Sequence, residues 1–409
     1  MKKLILSGIL LGASFGLLAN PEPIIYGTIT EKNGDTTTGS IRWGDQETFL
    51  SDIFNGRKLK HVGIEHLSED EVDELKDHQP GPKASIGSLQ ITFKSFFGKE
   101  LKPPYFNVHF GALKSLEVVD KKGLVKATLH DGTTILSDDR ANDLTDEIYV
   151  MTPEGEQSEF DWDELSRIDF SKAPENAKTW GDGIYGTVTT ENGTYPGRIM
   201  WDKDERLTDE ELDGEDDSES HEIKFADILS IEKDDNHSIV VLRDGRELRL
   251  TGTNDVNRSN RGVWVDNPET GRVEISWKEF KKLDIQPVQV DWLDFDDYVA
   301  LHKPLTATVN LRDGKTLPAD QLVYDLNHQS SAELLYTDID GHHHQMPLRL
   351  VKKMSVKNKH ALELLMADQT TKTAHGDRSV TFENNGLVVS HQGKHQWVKW
   401  QEVESISFD

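Results

Sequence analysis

The stretch from Asn254 to Asp266 has residue types and a spacing that suit a cation site. Four oxygen-bearing side chains fall at positions one, three, five and twelve of a calcium-type loop: Asp255, Asn257, Ser259 and Asp266. Position six is Asn rather than the usual Gly, position twelve is Asp rather than Glu, and an apolar strand pattern follows instead of a helix. Calcium is therefore the one cofactor that the sequence suggests.

The same stretch has a second interpretation as a tight turn. Asn and Asp favour turns because their side chains bond to nearby backbone amides. A related segment repeats the interval from Gly252 to Gly262 as Gly376 to Gly386, but it carries Ser379 at the acidic position. The turn geometry therefore does not require the carboxylate. Four neighbouring side chains remain candidates for a binding surface: Asn254, Asn260, Arg261 and Trp264.

Two other segments concentrate side chains that bind ligands in other proteins. The acidic segment, Asp202–Glu222, holds twelve acidic and two basic residues, which favours a solvated loop or loose binding of cations or of a basic partner. In the histidine segment, strand alternation would place His342 and His344 on one face and His343 on the other. Such a pair could bind nickel or zinc weakly, although a polar hairpin tip is the simpler explanation.

Short helices are predicted at three places. Ser68 with Glu71, and Thr208 with Glu211, have the spacing of a capping box. The linker 287–303 carries apolar residues at helical spacing. These helices would lie in insertions or linkers rather than in the repeating part of the chain.

The sequence contains no common catalytic signature. We find no Gly-x-Ser-x-Gly elbow, His-Glu-x-x-His helix, phosphate loop or dinucleotide fingerprint. We therefore predict no catalytic residues, and the sequence favours a protein that is not an enzyme. A hydrolase whose site is assembled between modules stays open as an alternative.

The elements that must position these segments repeat along the chain. Tyr26–Trp43 and Tyr185–Trp201 share Tyr, Gly, Thr, Asn-Gly, Gly, Ile and Trp in the same order, and each predicts a β-hairpin around Asn-Gly. A second pattern, Trp-x-Glu-apolar-x-x-apolar-x-apolar, begins at Trp162, Trp277 and Trp400. Its apolar spacing of three and then two predicts one helical turn that leads into a strand.

Weaker copies of this closing pattern bring the total to six, which predicts six all-β modules in three pairs. Each module has the composition of about five short strands, the inventory of a small bent barrel. The predicted pairs are 23–171 (modules 23–119 and 123–171), 183–286 (183–233 and 237–286) and 304–409 (304–357 and 360–409), with linkers at 172–182 and 287–303.

The closing pattern at Trp162, Trp277 and Trp400 resembles the end of SH3-like and Sm-like small barrels, whose last strand also follows a single helical turn. This resemblance implies tandem SH3-like or Sm-like barrels with short helical turns and acidic insertions. The Asn-Asp and Asn-Arg-Gly segments also resemble those of uncharacterised exported bacterial repeat proteins. No activity follows from either resemblance, because small barrels host many unrelated functions.

The start of the chain and its cysteine content predict the compartment. Residues 1–19 have the pattern of a secretory signal peptide, with Lys2 and Lys3 before an apolar run and Ala19 as the cleavage point. The chain has no cysteine, which excludes a disulfide scaffold and a lipid-modified cysteine. No later apolar run is long enough to span a bilayer. We therefore expect an exported bacterial protein, in the periplasm or outside the cell.

Net charge narrows the expected partners. The formal charge of −27 opposes binding to nucleic acid and to bare anionic membranes. We expect a non-enzymatic binding or scaffold repeat protein whose partner is a protein or another component of the bacterial envelope. A calcium-responsive adhesion or matrix protein is the first alternative, and the hydrolase is the second. The sequence does not indicate the oligomeric state.

Overall fold

A computed structural model describes residues 22–44, 46–58, 63–78, 83–86, 89–92, 105–119, 124–137, 142–144, 146–324 and 334–409. The predicted signal peptide, 1–19, lies outside these residues. The described part is all-β, with 33 strands and two short α-helices, which confirms the predicted fold class at this level. Neither helix is long and apolar enough to cross a membrane.

Three hydrophobic cores organise the described residues. They gather buried side chains from 25–170, from 184–285 and from 307–406. We call the surrounding segments 22–171, 183–286 and 304–409 the first, second and third units.

The first unit contains twelve strands and one α-helix in its described part. Its elements are β1 (Tyr26–Glu31), β2 (Thr36–Trp43), β3 (Ile53–Arg57), α1 (Glu69–His78), β4 (Lys83–Ile86), β5 (Leu89–Thr92), β6 (Tyr105–His109), β7 (Leu113–Val118), β8 (Val125–Leu129), β9 (Thr134–Ser137), β10 (Ile148–Met151), β11 (Gln157–Phe160) and β12 (Leu165–Phe170).

The second unit is followed by a helical linker and then by the third unit. The second unit comprises β13 (Tyr185–Thr189), β14 (Thr194–Met200), β15 (Glu211–Glu215), β16 (Ser220–Lys224), β17 (Ile228–Asp234), β18 (His237–Leu242), β19 (Glu247–Leu250), β20 (Val263–Asn267), β21 (Gly271–Ile275) and β22 (Lys282–Ile285). The linker holds α2 (Phe295–Leu301). The third unit comprises β23 (Ala307–Leu311), β24 (Thr316–Ala319), β25 (Gln321–Val323), β26 (Leu334–Ile339), β27 (His342–Pro347), β28 (Val351–Asn358), β29 (Ala361–Met366), β30 (Thr371–His375), β31 (Leu387–His391), β32 (Lys394–Val398) and β33 (Val403–Phe408).

One strand order recurs in the three units. The first unit forms a sheet in the order β9-β8-β7-β12-β1-β2-β10-β11, and the second unit follows the same order as β19-β18-β17-β22-β13-β14-β20-β21. In the third unit the order β30-β29-β28-β33-β23-β24 repeats the first six places, and β25, β31 and β32 form a separate sheet. The first strand of each unit therefore pairs with its last.

This pairing differs from the predicted chain of small barrels. In the first unit, β1 and β2 belong to one predicted module, but they pair with β12 and β10 of the next. Each of these sheets contains strands from both modules of a predicted pair, and no sheet in the described residues closes into a barrel.

Local sequence signals explain many of the turns and helices. Gly34 has a φ of 94° between β1 and β2, a left-handed conformation that glycine adopts without a steric penalty. The capping box before α1 is present, because the Ser68 amide donates to the Glu71 carboxylate at 2.8 Å. The helix predicted in the linker is also present as α2.

The prediction of a short helix at Thr208 and Glu211 is wrong. Glu211 begins β15, which pairs with β16, and the paired residues Leu212 and Ile223 are both buried in the second core. Burial on alternate residues of a strand outweighs the local capping pattern here.

The sheets of the second and third units are continuous. β21 of the second unit pairs with β27 of the third, with Arg272 opposite Gln345 and Glu274 opposite His343. This pairing produces one sixteen-stranded sheet. The first unit contacts both of the others through side chains, and these contacts contain the charged and open regions described next.

Candidate functional site

The predicted calcium segment forms a single 3-10 turn, Asn254–Val256, before β20. The Asp255 carboxylate accepts a hydrogen bond from the backbone amide of Asp213 at 2.8 Å, and the residue is only 4% exposed. Burial raises the pKa of Asp255 to about 6. The Trp201 indole donates to the Asp255 carbonyl at 3.1 Å. The side-chain carboxylate and the backbone carbonyl of Asp255 therefore both bond to neighbouring segments of the second unit.

The other predicted calcium ligands also have protein partners. The Asn257 side-chain oxygen accepts a hydrogen bond from the Ser259 amide at 2.8 Å. The Asp266 carboxylate lies 2.8 Å from the Arg198 guanidinium and 2.6 Å from that of Arg272. The described residues contain no group of three or more histidine or acidic side chains that could hold a metal ion. Calcium binding by these four residues stays a prediction.

Asn260 has the same bonding in the second unit as Asn384 has in the third. Each side-chain oxygen accepts from the glycine amide two residues on, Gly262 at 2.8 Å and Gly386 at 2.7 Å. The Asn384 amide group donates to the Ser379 carbonyl at 2.8 Å, and that of Asn260 donates to the corresponding carbonyl of the second unit at 3.3 Å. Both side chains are buried, so Asn260 stabilises the turn, and its part in a binding surface stays a prediction.

The remaining members of the predicted binding surface contact charged neighbours. Asn254 donates to the buried carboxylate of Asp202, and Arg261 lies 3.1 Å from the same group. The Trp264 ring is half-buried beside the Arg272 guanidinium, whose carbon lies 4.9 Å from the ring centroid. The structure therefore brings two of the four predicted residues, Asn254 and Arg261, to one carboxylate just after β14.

A buried ionic cluster joins the first and second units. The Arg198 guanidinium is fully buried and lies 3.0 Å from Glu22, 2.7 Å from Asp52 and 2.8 Å from Asp266. Asp52 also lies 3.1 Å from Arg206. We call these five residues the charged contact. Its ion pairs cross between the two units, since Glu22 and Asp52 come from the first and the others from the second.

The surroundings shift the two first-unit acids in opposite directions. Burial raises the pKa of Glu22 to about 7 against the attraction of Arg198. Burial also opposes ionisation of Asp52, but Arg198, Arg206 and their neighbour Arg272 together lower the pKa of Asp52 to about 2. Asp52 accepts further hydrogen bonds from the amides of residues 48 and 49, both at 2.9 Å. Asp52 is therefore the ionised centre of the charged contact.

The predicted alternation of the histidine segment is present at the contact between the second and third units. His342 and His344 are 1% and 6% exposed, whereas the His343 side chain between them is 33% exposed. His342 packs on Tyr195 with ring centroids 5.1 Å apart. Burial, with smaller contributions from neighbouring cations, lowers the pKa of His344 to about 4. His344 is therefore packed as a neutral ring.

The contact between the first and third units contains an open cleft. Its volume is about 920 Å³. One wall comes from β8, β9 and the end of β6 in the first unit, the second from α2 and residues 302–306, and the third from β25, residues 347–352 and the end of β33. Clefts of this size between units are the usual location of ligand sites.

Helix α2 is held against the first unit by its own aromatic residue. Tyr298 is 5% exposed and packs over Gly111, where an added Cβ would stand 2.3 Å from the ring. Asp294 caps the helix by accepting from the Asp297 amide at 2.8 Å. One turn further along, Leu301 lines the cleft and is 48% exposed. The helix thus fixes one wall and leaves an apolar side chain facing solvent.

The first and third units also contact each other through two small apolar clusters outside their main cores. Leu75 of α1 packs on Val388, and Ile53 packs on Leu334 and Tyr336. These apolar contacts span the two units without filling the cleft.

Sequence reasoning missed this cleft. Its walls come from three distant parts of the chain, and no local motif joins them. The predicted linker helix was the one local signal, because it has more apolar residues than a single buried helix face needs. No family model, curated protein or solved structure matches this chain. The site is therefore argued from its geometry alone.

Proposed function

We propose that this protein is a non-enzymatic binding protein of the bacterial envelope whose ligand site is the cleft between the first and third units. The observation that carries the proposal is an open cleft of about 920 Å³ between the first and third units, whereas the described contact between the first and second units holds buried ion pairs. Ligand sites of this size combine apolar walls with a few polar groups.

The envelope location belongs to the proposal as well. It is supported by the signal-peptide pattern of residues 1–19 and by the absence of cysteine in the sequence. At the level of fold, we propose that the modules derive from SH3-like or Sm-like barrels that exchanged strands within each pair. The single turns that precede β12, β22 and β33 support this relationship.

Binding of a neutral fluorescent probe tests the proposed site. N-phenylnaphthylamine should bind saturably, with one molecule per chain, because the cleft offers apolar surface to solvent. Ala300→Trp would place an indole inside the cleft, since Ala300 is exposed and lines it. We expect this variant to weaken probe binding by about tenfold, the equivalent of 1.4 kcal/mol.

Val299→Trp is the matched control. Val299 is 43% exposed on the same helix, but it is not among the residues that line the cleft. The control should bind the probe like the unmodified protein. Lack of saturable binding, or equal effects of the two variants, would remove the support for the proposed site.

A further inference from the structure

The balance of charge in the cleft differs from that of the whole chain. The lining contains four basic side chains, Lys58, Lys303, Arg349 and Lys352, and three acidic ones. The whole chain has 46 lysines and arginines against 73 acidic residues. The lining is therefore close to charge balance, with one more basic than acidic side chain, so it opposes an anion less than the rest of this acidic chain does.

Two of the three lining acids are already engaged by hydrogen-bond donors. Asp131 accepts from the Thr133 amide at 2.7 Å. Asp320 accepts from the Gln392 amide at 2.8 Å and contacts the His391 ring at 3.0 Å. These contacts hold both carboxylates to neighbouring groups of the protein. The third acid, Asp409, is exposed and would oppose a bound anion most directly.

The basic side chains divide into engaged and available groups. Arg349 donates to the Pro268 carbonyl at 2.8 Å, and Lys58 is only 4% exposed. Lys303 and Lys352 are exposed, and neither forms an ion pair with another described residue. Two lysines of the cleft are thus available to an anion from solution.

Apolar side chains surround these charges. Leu129 and Ile135 line the cleft from the first unit, Leu301 from the linker, and Leu348 and Phe408 from the third. An ion without an apolar part would leave this surface in contact with water. A ligand with an apolar body and an anionic head would cover it while placing the head near the lysines.

We propose that the cleft binds an amphiphilic anion, with an apolar chain along α2 and a carboxylate or phosphate head at Lys303 and Lys352. This inference rests on the proposed function, because it names the ligand class of the same site. Both candidate head groups accept charge-assisted hydrogen bonds from lysine. The attraction should weaken as salt is added, because Lys303 and Lys352 are exposed.

A series of four ligands with one common chain tests the ligand class: laurate, dodecyl phosphate, dodecanol and dodecyltrimethylammonium. Calorimetric titration of the full chain, below the micelle concentration of each ligand, should show that the two anions bind about tenfold or more tightly than the alcohol and the cation. The stronger of the two anions identifies the head group as carboxylate or phosphate.

Variants connect this preference to the two lysines. Lys303→Gln with Lys352→Gln should reduce the preference for the anions over dodecanol to about twofold or less, while dodecanol binding is retained. Asp409→Asn should strengthen anion binding. Lys224→Gln with Lys278→Gln is the control, because both residues are exposed in the second unit and lie outside the cleft.

The outcomes separate the two proposals. Equal binding of all four ligands overturns the anionic class. An anion preference that survives loss of both cleft lysines overturns the placement of the head group at Lys303 and Lys352. Either result leaves the cleft as a binding site. If none of the four ligands binds and the neutral naphthylamine probe also fails, the proposed function falls as well.

Discussion

The first unit contacts the second and the third units in two different ways. At the charged contact, Arg198 is fully buried among three carboxylates. At the cleft, Leu301 is 48% exposed beside a space of about 920 Å³. A cluster of buried ion pairs holds two units in one arrangement, because separating the units would leave buried charges without their partners. An open apolar cleft imposes no such requirement and leaves room for a ligand.

The largest effect should come from breaking the charged contact. Arg198→Ala removes the cation that Glu22, Asp52 and Asp266 share, and we expect a loss of about 3–5 kcal/mol in the free energy of unfolding. Urea denaturation followed by tryptophan fluorescence measures it. Arg246→Ala is the control, because its side chain is 65% exposed and should change stability by less than about 0.5 kcal/mol. Similar losses in the two variants would show that the charged contact does not hold the units.

The histidine contact between the second and third units adds a pH-dependent case. The pKa of His344 is lowered from 6.5 to about 4 in the folded protein, so between these values the unfolded chain binds more protons. Stability contributed by neutral His344 is therefore present above about pH 6.5 and is lost as the pH falls towards about 4, by up to about 3 kcal/mol.

Substitution isolates this contribution from other titrating groups. His344→Gln cannot gain a charge, so the difference in stability between the variant and the unmodified protein should change over that pH interval. His343→Gln, on the exposed face of the same strand, is the comparison variant. Parallel pH profiles for His344→Gln and the unmodified protein would contradict the buried neutral state.

A smaller effect should follow from displacing the wall of the cleft. Gly111→Ala places a methyl group 2.3 Å from the Tyr298 ring, which must then move with α2. Overpacking of this kind typically lowers stability by about 1–3 kcal/mol. Hydrogen exchange should increase in α2. In a Tyr298→Ala background the same substitution should have almost no further effect, because the clash is gone. Additive losses would mean that Tyr298 does not pack over Gly111.

The smallest effect is expected within the cleft itself. Leu301→Ala should change the unfolding free energy by less than about 0.5 kcal/mol, because half of the side chain is already exposed. Leu322→Ala, at 2% exposure on the opposite wall, should lower it by about 2–5 kcal/mol. A large loss for Leu301→Ala would show that the cleft is closed in solution, which would end the contrast with the charged contact.

Local features of the fold were predictable because short-range chemistry determines them. The hairpin of β1 and β2 follows from Asn-Gly and alternating apolar residues. The capping box at Ser68 begins α1 as predicted, whereas the same pattern at Thr208 was overridden by burial of Leu212. A local sequence pattern shows which conformations are favourable, but burial of side chains in the core determines which of them forms.

Long-range features were not predictable from the same signals. Gly27 pairs with Phe170, and this pairing depends on how all the strands between them fold. The apolar pattern of a strand is compatible with partners from either module, so it does not identify the partner. Asp266 matched a calcium ligand by spacing, yet its partners are Arg198 and Arg272. The cleft arises where the first unit, the linker and the third unit meet. Spacing along one segment carries no information about any of these contacts.

Pairing between the first and last strands of each unit has a consequence for how the chain folds during synthesis. A ribosome releases β1 long before β12, so the central pair of the first sheet cannot form until nearly the whole unit is available. Such a high contact order implies slow, unit-by-unit folding on the millisecond to second scale. It also brings the two ends of each unit together, with Ser171 bonded to Tyr26, so a circularly permuted unit should fold without a long connector.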